Sequence, residues 1–303
     1  MRRSSKVPPV GFTLIEMVTA MTIMAIIAAS VAVFLRLPLQ AYQDAQRRAV
    51  LTGAADTAFT LLKRDLQKAL PNSVRITTAG ADFYLEFLQI RAGGRYRAEA
   101  PVPGVAAGVN TCPDSDADTF AGENVLQFGA ADTCFTTLGA LAELGTIVPN
   151  TDFVVVYNLG PDYVGANAYA TGPATGGNKS LITAVAAGAG GENVVSFESI
   201  TFPLESPGRR FHVISGPITY VCDTTAGTLR RVSGYAIAAA QPVPPVGGTS
   251  ARVSQGIIAC TVTYDQNAIN QRTGIVSIWL RFADPAGGAN VNLFQQVQVS
   301  NVP

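Results

Sequence analysis

The stretch that decides the fold is Gly11-Phe-Thr-Leu-Ile-Glu16, which is followed by Met-Val-Thr-Ala-Met-Thr-Ile-Met-Ala-Ile-Ile-Ala-Ala-Ser-Val-Ala-Val-Phe-Leu from Met17 to Leu35. The second part holds 19 residues and no charge. A helix of that length measures about 28 Å, close to the roughly 30 Å hydrocarbon core of a bilayer. The stretch therefore predicts a helix that spans a membrane.

The residues around this span indicate its orientation. Arg2, Arg3 and Lys6 precede it without an acid, and the next charge after the span is Arg36. By the positive-inside rule the leader stays in the cytoplasm and the chain after residue 36 lies outside. Glu16 stands within the apolar segment, where a carboxylate costs about 2.5 to 3.5 kcal/mol, so we expect it to have a partner or a function.

The run from Gly11 to Glu16, after a short basic leader, resembles the leader of type IV pilins and type II secretion pseudopilins. The resemblance implies that a prepilin peptidase cuts after Gly11 and that Phe12 becomes the methylated amino terminus. It also implies that Glu16 pairs with the Phe12 amine of a neighbouring subunit. Such a pair would neutralise two charges in lipid and fix the axial register of packed helices.

Two other interpretations of the amino terminus stay open. An ordinary secretory signal peptide would use residues 17–27 as its apolar region and would be cut after Ala28-Ala29-Ser30. A signal anchor would keep the whole segment. Either would leave a periplasmic enzyme or receptor in place of a filament subunit.

Helical periodicity continues beyond the span. Pro38 predicts a kink or a short break, because proline lacks an N–H and clashes with the preceding turn. Apolar residues then recur at helical spacing, and we expect the helix to end at Pro71. The apolar positions are Leu51, Ala54, Ala55, Ala58, Leu61, Leu62, Leu66 and Ala69. The basic residues Arg47, Arg48, Lys63, Arg64 and Lys68 spread around the helix and indicate a solvated surface rather than a binding site for DNA or anionic lipid.

After residue 72 the apolar period changes to two, which indicates strands. Examples are 83–87, 152–157, 211–222, 257–264, 274–282 and 291–299. Short connections favour antiparallel neighbours. We predict an α+β protein in which a long, kinked helix packs on an antiparallel β-sheet head. The predicted parts are a leader (residues 1–11), a transmembrane segment (12–36), an amphipathic segment (37–71) and the head (72–303), with surface loops at 165–191 and 236–250.

Composition narrows the classes of function. Charged residues make up 14% of the chain, fewer than in an average soluble domain, which favours an exported or membrane-anchored protein. The first 75 residues carry a net charge of +6 and the remainder −6. An acidic main body disfavours nucleic acid as a partner.

Cysteine spacing favours disulfides over a metal site. The four cysteines stand far apart without a C-x-x-C pair, and they allow three pairings. Since loop closure costs least for near neighbours, we prefer Cys112 with Cys134 and Cys222 with Cys260. The alternative is four reduced, buried cysteines.

The sequence offers little for catalysis. The single histidine, His212, is flanked by apolar residues as in a strand, which favours a structural role. No nucleophile elbow, zinc-protease helix or phosphate loop is present. Alternate aspartates at Asp114, Asp116 and Asp118 could bind calcium, but the spacing departs from an EF-hand and a solvated acidic turn is preferred. We therefore expect no enzymatic activity and no cofactor.

Segments outside the leader resemble minor pilins of the MshO and PilW families. They include residues 42–49, 65–75, 210–223, 227–231 and 260–264. The resemblance implies a structural subunit of an MSHA-type pilus, at or near the tip or in initiation of assembly. Its partners would be other pilins, the prepilin peptidase and the inner-membrane assembly platform. It would lie in the inner membrane with a periplasmic head and then in the filament. A type II secretion pseudopilin of the J type is the alternative within this class.

Overall fold

The computed structural model describes residues 11–98, 125–171, 177–188, 191–269, 272–284, 287 and 290–303. The chain forms one long amino-terminal helix followed by a mostly antiparallel β-sheet domain, as predicted for an α+β protein. By internal contacts it divides into two compact units, residues up to Val50 and Leu51–Pro303.

Helix α1 spans Leu14–Leu66 and runs through Pro38 without a break. The short break that the sequence allowed there does not occur. One missing N–H removes a single hydrogen bond, whereas propagation of a long helix is cooperative.

The helix ends at Leu66, five residues before Pro71, where the sequence placed its end. The reason is competition for backbone hydrogen bonds. Leu70 N–H donates to Leu88 C=O at 2.8 Å, and Ile90 N–H donates to Lys68 C=O at 2.8 Å. The neighbouring strand thus satisfies groups that a further helical turn would have used.

Twelve strands are found among the described residues. They are β1 Arg75–Ala79, β2 Asp82–Arg95, β3 Asp132–Thr136, β4 Phe153–Val156, β5 Lys179–Ala187, β6 Asn193–Ile200, β7 Arg210–Asp223, β8 Thr228–Ser233, β9 Thr249–Gln255, β10 Ile257–Ile269, β11 Thr273–Ala283 and β12 Asn290–Ser300.

The strands form two sheets in the part of the chain that the structure describes. The larger sheet has the order β1-β2-β7-β4-β5-β6-β3, and β8 and β9 extend it from β7. The smaller sheet has the order β10-β11-β12. The long strand β7 holds the larger sheet together, because it pairs with β2, β4 and β8.

The carboxyl half of α1 lies in the main core. Buried helix residues pack with side chains from β2, β7 and all three strands of the smaller sheet. The helix contributes Ala55, Ala58, Phe59, Leu62 and Leu66, all at most 4% exposed. In β11 the alternation was correctly predicted, since Val276, Ile278, Leu280 and Phe282 are all fully buried. The apolar faces of helix and strands therefore build one core.

The predicted surface loop 165–191 is wrong in part. It contains strand β5, which pairs with β4 and β6. Ala168 and Tyr169, earlier in the segment, are also buried. Small and polar residues concealed the alternation, because Ser180 occupies a buried position beside Ile182.

Candidate functional site

The first residues of α1 form a closed hydrogen-bonded cap. The backbone N–H and the hydroxyl of Thr13 donate to a carboxylate oxygen of Glu16 at 3.1 and 2.8 Å. In return, the Glu16 N–H donates to the Thr13 hydroxyl at 3.3 Å. This reciprocal arrangement is a capping box, which satisfies amide groups that a helix start leaves without partners.

The cap gives Glu16 an intrachain partner that the sequence analysis missed. The signal was present, because Thr-x-x-Glu before an apolar run is the sequence pattern of a capping box. A carboxylate at the first turn also lies favourably in the field of the helix dipole. The presence of Glu16 in an apolar segment therefore has two explanations, the cap and the predicted contact with a neighbouring subunit.

The amino-terminal part of α1 exposes its apolar side chains. Phe12 is 84% exposed, Leu14 83% and Ile15 69%. The helix is long and apolar enough to cross a membrane, and none of its most apolar window is buried. A continuous apolar surface of this kind requires lipid or other helices around it.

Hydroxyl groups in this segment are satisfied within the helix. The Thr19 hydroxyl donates to Glu16 C=O at 3.1 Å, and the Ser30 hydroxyl donates to Ile26 C=O at 2.8 Å. The Thr22 hydroxyl contacts the carbonyl oxygens of Val18 and Thr19 at 3.1 and 2.9 Å. Polar side chains with such partners are tolerated in hydrocarbon.

A buried ion pair joins the other end of α1 to the sheet. Arg231 Nε, on β8, donates to Asp65 Oδ2 at 2.6 Å, and the Tyr220 hydroxyl on β7 donates to the same oxygen at 2.9 Å. Asp65 is 3% exposed. Burial and the adjacent Asp65 carboxylate raise the pKa of Tyr220 well above its usual value, so the phenol stays protonated and continues to donate.

A second polar cluster lies immediately after the helix. Arg75 Nε donates to Glu86 Oε1 at 2.8 Å, and the Tyr235 hydroxyl donates to Glu86 Oε2 at 3.0 Å. The Arg75 guanidinium also lies 3.6 Å from the ring centre of Tyr169. Burial, with the Glu86 charge second, raises the pKa of Tyr235. These groups fasten the turn between helix and sheet, and each buried charge has a partner.

Comparisons extend neither the family assignment nor the function. The chain matches no protein-family model, no curated protein and no solved structure. The geometry of its own residues is therefore the basis for any functional proposal.

The processing residues lie before the helix begins. Gly11 and Phe12 are extended and exposed. A Cβ atom added to Gly11 would meet no atom within 4 Å, so the fold itself does not require glycine there. Any requirement for glycine would come from another molecule.

One of the two predicted disulfides falls within the described residues. Cys222 on β7 and Cys260 on β10 are bonded, with their Cα atoms 6.7 Å apart. This bond links the larger sheet to the smaller one. Cys112 lies outside the described residues, so the pair predicted for Cys134 stays a prediction.

The predicted calcium ligands Asp114, Asp116 and Asp118 also lie outside the described residues. Within the described ranges, no group of three or more His, Cys, Asp or Glu side chains could hold a metal ion. His212 lies on β7 between β2 and β4. Burial, assisted by Arg210, lowers its pKa to about 4, so the ring is neutral at physiological pH.

Proposed function

We propose that this chain is a minor pilin-like structural subunit of a type IV, MSHA-type pilus. It is processed by a prepilin peptidase after Gly11, methylated at Phe12, and held in the inner membrane by the first part of α1 with its head in the periplasm. An assembly platform then transfers it into the filament, at or near the tip or during initiation.

The observation that carries the proposal is the contrast between the two ends of one helix. Its first 37 described residues, Leu14 to Val50, are exposed, whereas the turns after Leu51 are buried against the sheets. An exposed apolar helix of this length has to be covered by lipid or by other helices. A fixed head with a bare apolar stem suits a subunit that exchanges lipid contacts for contacts with other stems.

Glu16 supplies the proposed register. In a filament without water around the stems, the Phe12 ammonium of one subunit and the Glu16 carboxylate of the next would each need an opposite charge. Pairing these groups satisfies both and fixes one stagger of the helices. The same arrangement is compatible with a type II secretion pseudopilin of the J type, which is the alternative within this class.

The capping box favours one candidate from another class. Because Thr13 already binds Glu16, the carboxylate is explained without any neighbouring subunit. The chain would then be a periplasmic enzyme or receptor on a signal anchor. A variant that keeps the cap but removes the charge separates the two functions.

The experiment compares Glu16→Gln with Glu16→Ala in the producing cells. Glutamine still forms a capping box, whereas alanine does not. If Glu16 pairs with an ammonium group, both variants are strongly depleted from sheared filaments while their amounts in the membrane stay unchanged. Wild-type incorporation of Glu16→Gln would contradict the register role and leave only the cap.

A further inference from the structure

The outer face of the smaller sheet is an unusual surface. We define it as the even-numbered residues of β12, the odd-numbered residues of β11 and the β10 residues paired with the latter. All of the β11 and β12 positions on this face are at least partly exposed. The alternate residues of β11 are buried against the helix core, so this surface is held rigidly from behind.

An aromatic pair stands at the centre of the outer face. Trp279 on β11 lies directly opposite Phe294 on β12, and Thr261 lies opposite Trp279 on the β10 side. Side chains paired in this way have Cβ atoms about 5 Å apart. Phe294 is 62% exposed, and Trp279, the single tryptophan of the chain, is partly exposed. Large aromatic groups left in water on a rigid face mark a binding surface.

Uncharged polar groups surround the pair. In the next row Gln296 Nε2 donates to the Ser277 hydroxyl at 3.1 Å, which holds the amide in place. In the row on the other side Asn292 lies opposite Arg281. The Nε atom of Arg281 is buried and has no hydrogen-bond partner among the described residues. Asp265, the other ionisable group of the face, has opposite charge, so the face is neutral overall.

We propose that the outer face binds a neutral oligosaccharide built of pyranose rings. Amide and hydroxyl side chains both donate and accept hydrogen bonds, as sugar hydroxyls do. The apolar C–H face of a pyranose ring packs on the exposed faces of Trp279 and Phe294. The flat, extended sheet admits several consecutive rings along the strands. This binding does not depend on the proposed assembly into a filament.

Charge and composition disfavour other ligands. Single-stranded nucleic acid needs a cationic groove, whereas one arginine here faces one aspartate. An anionic bilayer needs several lysines or arginines beside a broad apolar face. The core of a protein interface is more apolar than a single aromatic pair bordered by amides and hydroxyls.

The position of Trp279 makes the test direct, because it is the only tryptophan. The full chain is purified in octaethylene glycol monododecyl ether, a detergent without sugar. It is titrated with cellohexaose, maltohexaose and, as a charged comparison, hexathymidylate. Tryptophan fluorescence and isothermal calorimetry report binding. We expect a saturable signal with at least one hexasaccharide and none with hexathymidylate.

Variants locate the binding on the face. Phe294→Ala is expected to weaken the affinity about tenfold, whereas Phe294→Tyr keeps the ring and retains binding. Tyr163→Ala is the matched control, since Tyr163 is an aromatic residue 56% exposed elsewhere on the head. Absence of saturable binding to both hexasaccharides would overturn the proposal. So would unchanged affinity in Phe294→Ala, or saturable binding of hexathymidylate.

Discussion

At the scale of single residues, buried polar side chains connect parts of the chain that are distant in sequence. Asp65 and Arg231 are 166 positions apart and form an ion pair inside the fold. Neither residue stood out in the sequence, because local pattern does not indicate which distant charges meet. The Thr13–Glu16 cap is the opposite case, since it is local and could have been predicted from four residues.

Removing Asp65 tests the attachment of α1 to the sheet. Asp65→Ala leaves Arg231 and the Tyr220 hydroxyl without their acceptor, and Arg231 is only 22% exposed. We expect a loss of about 2 to 3 kcal/mol in the free energy of unfolding. Denaturant unfolding of the full chain, followed by the fluorescence of Trp279, measures it. The control is Asp56→Ala at an exposed position of the same helix, and an equal effect of both variants would contradict the account.

His212 predicts a dependence of stability on pH. Its pKa is about 4 in the folded chain, below the usual 6.5. Between these values the unfolded chain binds a proton that the folded chain does not, so stability falls as the pH drops from about 6.5 to about 4. Because the ring is partly exposed, we expect His212 to account for about 1 to 2 kcal/mol of the loss.

Unfolding of His212→Gln across the same pH range measures this contribution. Carboxylates titrate in both proteins, so the difference between the two curves isolates the histidine. The variant curve should be shallower above pH 4. Parallel curves would show that His212 does not titrate as its burial implies.

At the scale of elements, periodicity predicted what is repetitive. It placed Ala55, Ala58 and Leu62 on the buried side of α1 and gave the alternation of β11. It placed the end of α1 too late, because the hydrogen bond from Leu70 to Leu88 forms across 18 residues. It also missed β5, whose register depends on β4 and β6 rather than on its own composition.

The disulfide between β7 and β10 joins the two sheets, and its loss should weaken the smaller one. The bond closes a loop of 38 residues, which corresponds to about 3 to 4 kcal/mol of stabilisation. We expect the double variant Cys222→Ala and Cys260→Ala to lose about that much, with the largest rise in amide hydrogen exchange in β10–β12.

The matched control for the disulfide variant is Ile258→Ala, an exposed position beside Cys260 on the same strand. Its free energy of unfolding should change little. Unchanged exchange in the smaller sheet of the double variant would show that packing alone holds the two sheets together.

At the scale of the whole molecule, the sequence predicted the α+β class and the division between an apolar stem and a strand-rich head. The pairing order of the strands could not be predicted, because β7 receives three neighbours from distant parts of the chain. The assembly of the molecule with its partners follows from the leader and from Glu16, and it stays a proposal.

Mass spectrometry of the amino terminus of the chain isolated from its own cells tests the assembly proposal most directly. The account predicts a mature chain that begins at Phe12 and carries a methyl group on the nitrogen. Gly11→Val, which the fold tolerates by space, should abolish that terminus. A chain that begins at Val31, or one that retains Met1, would contradict the account and leave an anchored or secreted periplasmic protein.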